Sequence, residues 1–219
     1  MEDEAGAIEA IRREVRRGAY ARAGAWADAL SAELRERPAV AVERARLRMR
    51  QGRMRLARAA LASARMEGAR EVDRALVALE GACCRMFEHA DFERALADAD
   101  AALARAHGLE GVDAAEVQRV HARIQLMAAT HHALPPAASQ QARERLAASA
   151  EVLERAGRLD EALGSRLTLA GLAAGEERLR LLAEVSDRAA MAGVPHLAAE
   201  ARVNRAEHLL RLGDADPAV

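Results

Sequence analysis

Arginine is the only cationic residue in this chain of 219 residues; all 33 basic side chains are arginine, and lysine is absent. A Walker-type phosphate loop, a kinase lysine and a Schiff-base lysine are therefore excluded, because each needs the primary amine. The arginines are clustered. Arg12, Arg13, Arg16, Arg17 and Arg22 form one group, and Arg44, Arg46, Arg48, Arg50, Arg53, Arg55 and Arg58 form another. A planar guanidinium suits bidentate recognition of carboxylate or phosphate, so an acidic peptide, or the acidic flank of another subunit, fits this chemistry. The alternative is that the same stems cover apolar helix surface and solubilise it. Residues 1–70 hold 16 arginines against 10 acidic residues, and residues 71–219 hold 17 against 24, so a net charge of −1 conceals a basic beginning and an acidic remainder. Nucleic acid fits this pattern poorly, since no aromatic rings interleave the arginines for base stacking and the acidic part repels phosphate.

The other reactive side chains lack a catalytic frame. The histidines, His89, His107, His121, His131, His132, His196 and His208, form no HExxH and no pair at i, i+4. His131 and His132, just before Pro135 and Pro136, suit a helix C-terminus, where the dipole favours a cation. Cys83 and Cys84 point about 100° apart on a helix, which disfavours a disulfide. Two free thiols in a reducing, cytoplasmic compartment are expected. No GxGxxG, GxSxG or framed carboxylate pair occurs, so a non-enzymatic protein without metal or cofactor is expected. No membrane association is expected either. No apolar run approaches the roughly 18 residues of a span, and Met1 to Glu4 is acidic where a secretory leader is basic and then apolar.

These side chains must be positioned by helices. Aromatics supply 2% of the chain, threonine occurs twice and isoleucine three times, which deprives a sheet of its preferred residues. Alanine, leucine, arginine and glutamate dominate, and apolar residues recur at three- and four-residue spacing. The pattern predicts an all-α protein of about eleven helices, over 4–17, 25–37, 39–50, 54–66, 70–88, 92–107, 112–132, 138–156, 159–173, 176–192 and 196–212. Pro38, Pro135, Pro136 and Pro195 fall where helices begin or connections run.

A short motif recurs along the chain: a small residue, any residue, a large apolar one, two of any type, and alanine. It reads Gly52-Arg53-Met54-Arg55-Leu56-Ala57, Ala90-Asp91-Phe92-Glu93-Arg94-Ala95, Gly157-Arg158-Leu159-Asp160-Glu161-Ala162, and more loosely Gly193 to Ala198 and Gly24 to Ala29. The small residue ends one helix, the large one seeds the next contact, and alanine lets two helices approach. Here the chain resembles the tetratricopeptide repeat (TPR) family, whose unit is a helix pair of about 34 residues. Ala45, Cys83, Ala150 and Ser186 fall on the family's small first-helix position. Trp26 and Phe92 take its large turn position, as core anchors, while Tyr20 is ambiguous. The intervals between motifs, 28, 38, 67 and 36 residues, depart from a constant period. The longest is two repeats long but holds one extra helix, 112–132.

The resemblance implies a right-handed α-solenoid of antiparallel helix hairpins, one domain over 1–219. Within it, 1–37 reads as a degenerate N-terminal hairpin, 38–111 as the best-matched repeats, 112–156 as irregular or phase-shifted, and 157–219 as C-terminal repeats and cap. In this family the first helix of each pair lines a concave groove, and residue-by-residue transfer places Val42, Arg46, Met49 and Arg50 there. Val77, Glu80, Cys84, Phe87 and Glu88 follow from the next repeat, and Glu151, Glu154, Arg155, Arg180 and Asp187 from later ones. Cys83 is expected to pack, and Cys84 to face the groove with the more accessible thiol. The implied function is a scaffold that holds a partner protein or peptide segment, with a few anchors supplying affinity. Alternatives are a self-assembling element that stacks its basic N-terminal region on the acidic body of another copy, or the sensor or docking part of a bacterial regulator or effector protease complex.

Overall fold

A computed structural model describes residues 3–131 and 134–214. They form twelve helices and, among the described residues, no strand: α1 (Glu4–Arg16), α2 (Tyr20–Ala29), α3 (Ala32–Glu36), α4 (Pro38–Arg50), α5 (Met54–Ala62), α6 (Glu71–His89), α7 (Phe92–Arg105), α8 (Gly111–Thr130), α9 (Pro136–Arg155), α10 (Leu159–Gly171), α11 (Gly175–Met191) and α12 (Pro195–Asp214). None is long and apolar enough to cross a membrane.

One helix more than expected is present because the segment 25–37 is broken. Leu30 turns extended, with ψ of 149°, and Ser31 accepts from the Leu34 amide at 3.3 Å, so a serine cap starts α3 where continuation was expected. The prolines act as anticipated: Pro38, Pro136 and Pro195 are the first residues of α4, α9 and α12. The small residues of four motif copies all adopt left-handed backbone, with φ of 71° at Gly52, 52° at Ala90, 75° at Gly157 and 69° at Gly193. The Gly24 copy is corrected. Gly24 lies inside α2, where a Cβ would come within 3.0 Å of Arg48 Nη1, and the turn belongs instead to Gly18, with φ of 72°.

Packing runs between sequence neighbours. Helices α1, α4, α6, α8, α10 and α12 form a chain in which each touches the next, while α5, α7, α9 and α11 each pack on the helix before and the helix after. The apolar interior is correspondingly divided. One cluster joins α1 to α4, a second joins α4 to α8, two small ones join α8 to α10, and the last joins α10 to α12. Alanines supply much of each, including Ala45, Ala57, Ala82, Ala95 and Ala99, which is how helices with so few rings pack closely.

The ambiguous region resolves at α8. It is one unbroken helix that packs on α6, α7 and α9, so it continues the chain of α1, α4 and α6. The expectation put α9 and α11 in line with α4 and α6; the helices that touch in succession are instead α8, α10 and α12.

The chain also closes on itself. His196 of α12 reaches the turn after α1, its Nδ1 lying 3.4 Å from the Arg16 carbonyl, and Arg50 Nη1 of α4 donates to His196 Nε2 at 2.8 Å. Tyr20 meets the same ring edge-on at 6.1 Å between centroids.

Candidate functional site: an arginine-lined interior cavity

Closure leaves a cavity of about 630 Å³, lined by α1, α4, α6, α8, α10 and α12 with Tyr20 and Met54 from two other helices. That is the size of pocket that takes a small ligand or a few residues of a peptide. Val15, Leu47, Met49, Met54, Phe87 and Leu197 give it apolar wall, and Arg12, Arg46, Arg50, Arg119, Arg123, Glu43, Asp160, Glu161 and Glu200 give it charge.

Beneath the charged wall lies an ion network that ties distant parts of the sequence together. Arg46 donates to Glu80 at 2.7 Å, to Glu43 at 2.9 Å and to Glu116 at 2.8 Å. Arg12 bonds Glu43 at 2.7 Å and lies 3.7 Å from Glu161, while Arg158 approaches Glu116 at 3.1 Å and also pairs with Glu161. Glu80 is fully buried and also faces Arg123 at 3.4 Å.

Burial alone would neutralise these groups, but the partners prevent it. For Glu116, burial pushes the carboxyl up, and Arg46, Arg158 and Arg119 overcome it, holding it down at about 2. Glu80 is likewise held low, by Arg46 and Arg123 against its burial. Arg46 stays above the usual arginine value, because Glu80, Glu116 and Glu43 outweigh desolvation. Asp160 is the exception, pushed up by burial and then by the adjacent Glu161.

Arg119 differs from the rest. It is 8% exposed, lines the cavity, and among the described residues its guanidinium makes no hydrogen bond and no ion pair. Burial, with Arg46 and Arg123 as like-charged neighbours, brings it down to about 10. Sequence reasoning missed Arg12, Arg119, Arg123, Glu116, Arg158 and Glu161 as parts of one site. A signal was present in α8, where Glu116, Arg119 and Arg123 form a charged stripe at i, i+3, i+7 on a helix otherwise rich in buried apolar residues.

Of the residues assigned to the groove, Arg46, Met49, Arg50 and Phe87 line the cavity. Val42 is core and Val77 packs against the same cluster, while Glu80 sits beneath Arg46. Glu88 is turned to Arg58 at 2.9 Å. Cys84 is corrected: it is as buried as Cys83, and its thiol is pushed up to about 12 by burial and by Glu80, the opposite of a reactive thiol. Cys83 packs, with Arg123 Nη2 at 3.5 Å from its sulfur.

The later assignments also move. Glu151, Glu154 and Arg155 lie on α9, and Arg180 and Asp187 on α11, and neither helix contributes to the cavity. Glu154 pairs with Arg166 at 2.7 Å and with Arg188, and Arg180 with Glu177 at 2.7 Å. Arg155 reaches the Glu151 carbonyl at 3.3 Å, and Asp187 is exposed.

Trp26 and Phe92 pack against core clusters. His131 ends α8 with its ring stacked on Phe92 at 4.3 Å, and His132 lies outside the described residues. His121 is buried against Asp100 at 2.7 Å, away from the cavity.

No family model, curated protein or solved structure matches the chain.

Proposed function

We propose that the chain is a right-handed α-solenoid of TPR type and acts as a non-catalytic binding module that holds a segment of a partner protein in the interior cavity. Packing between successive helices, with the core divided into separate clusters, supports the solenoid reading. So does the interval of 34 residues between Gly18 and Gly52, two tight turns of the same left-handed kind. The observation that carries the function is the cavity itself, where half-open apolar wall, with Phe87 55% exposed, stands beside fixed charge. Apolar side chains of a bound segment would supply affinity and the arginines register. Two unpaired, buried cysteines fit a cytoplasmic setting.

Self-assembly through charge polarity draws less support, because the basic N-terminal region and the acidic remainder pair within one chain, as in Arg12 with Glu161 and Arg46 with Glu116. The test is an array of tiled peptides of varied composition, probed with the wild type and with Phe87→Ala. A subset of peptides should bind, and the variant should lose at least about tenfold in affinity with its melting curve unchanged. Binding of no peptide, or equal binding by the variant, would overturn the reading.

A further inference from the structure

We propose that the cavity holds an oxyanion-binding subsite centred on Arg119, with Arg46 and Arg123 beside it, which takes a carboxylate or phosphate group of the bound ligand. The inference rests on the cavity being the binding surface, but it does not require the ligand to be a peptide.

A buried guanidinium without an acceptor is costly, and chains normally pair such a group or place it at the surface. Arg119 is unpaired among the described residues and 8% exposed, with Nε sealed and the two fork nitrogens not among the sealed atoms of the cavity it lines, while Glu116, one helical turn before it on the same helix, is occupied by Arg46 and Arg158 instead. Its neighbours are also short of acceptors. Arg119 Nε, Arg46 Nη2, Arg123 Nε and Arg12 Nε are each sealed from solvent and unpartnered, and all four residues line the one cavity. A single carboxylate oxygen on the same wall, Glu161 Oε2, is unpartnered too. Donors thus exceed acceptors around Arg119, and an anion with several oxygens, entering with a small shift of the side chains that seal these nitrogens, would supply the acceptor. Carboxylate and phosphate both match the guanidinium fork, and the surrounding low-dielectric wall strengthens the bond once it forms. The apolar side of the cavity, at Met49, Met54 and Phe87, would then hold the uncharged part of the same ligand.

A residue kept for a ligand at a cost to stability has a distinctive signature, because its removal stabilises the empty protein and abolishes binding. The experiment follows the melting temperature of wild type, Arg119→Met and, as a control on an outer helix, Arg180→Met. Each is titrated with inorganic phosphate, succinate and a hexaglutamate peptide against sodium chloride of equal ionic strength. For the wild type, at least one oxyanion should raise the melting temperature saturably where chloride does not. Phosphate alone indicates a phosphorylated ligand, and succinate or hexaglutamate a carboxylate. Arg119→Met should melt higher than wild type without ligand and lose that response, whereas Arg180→Met keeps it. In the wild type the Arg119 Nε–H resonance should shift on titration with the same probe. A lower melting temperature for Arg119→Met, an undiminished oxyanion response in it, or no oxyanion response in the wild type would each overturn the proposal. Failure of the peptide array alongside a positive oxyanion response here would reject the partner-protein reading and leave the subsite standing.

Discussion

Arg46 shows why single residues in this interior are hard to assign from sequence. It belongs both to the expected ligand groove and to the framework, since it lines the cavity while holding Glu43, Glu80 and Glu116. Removing it would leave Glu43, Glu80 and Glu116 with only Arg12, Arg123 and Arg158 as partners, so its substitution would report on folding before it reported on binding. The same network makes stability depend on acid. Glu116 is held below its ordinary value of 4.5, so the stability it contributes is present above about pH 4.5 and is lost as pH falls through about 2. The full effect is on the order of 3 kcal/mol for a group this buried. Glu80 acts in the same direction. Urea unfolding at successive pH values should therefore show a steep loss of stability over that window, and the loss should be shallower in Glu116→Gln. An equal slope in both would place the acid sensitivity elsewhere.

At the scale of elements, the recurrent turn is a property of backbone geometry. After Gly18, Gly52, Gly157 and Gly193 the next amide reaches back to a carbonyl five residues earlier, at 3.0 Å for Ala19 and 2.8 Å for Arg53, Arg158 and Val194. These are helix ends of Schellman type, which want a residue without a Cβ penalty. Ala90 holds the same left-handed conformation with a side chain, so Ala90→Gly should stabilise the protein by about 0.5–1 kcal/mol, the strain relieved less the added chain entropy. Gly52→Ala should destabilise by about 1 kcal/mol through backbone strain alone, since a Cβ there meets nothing within 4 Å. Paired denaturant titrations of the two variants would measure both signs, and a stabilising Gly52→Ala would contradict the account. The motif marks a tight turn but not the layer of the helix that follows. At Gly52 the chain leaves a helix that lines the cavity and enters one that reaches it only through its first residue, Met54, whereas at Gly157 it passes from α9, which contributes nothing, to α10, which lines it. The expected groove residues on α9 and α11 were lost on this point, because a twofold alternation has no local label for inside.

For the whole molecule, the informative contact is that of α12 with the start of the chain. His196 joins Arg50 and the Arg16 carbonyl across some 180 residues of sequence and meets Tyr20, while the main packing of α12 is on α10 and α11. His196→Ala should cost about 1 kcal/mol and speed amide exchange in α12 while leaving α6 and α8 protected. Equal acceleration in α6 would mean that the stack opens as one unit. The all-helical class, most helix positions, the tight turns and the packing role of Cys83 were determined by the sequence itself. They depend on composition, on periodicity and on φ preferences, all of which act within a few residues. The break at Leu30, the shift of layer at α8, the burial of Cys84 and the gathering of Arg12, Arg46, Arg119 and Arg123 around one cavity were decided only by the tertiary structure. Each depends on which helix faces which, and on how α12 comes to meet the start of the chain, and these are sums over many small packing angles that no local pattern encodes.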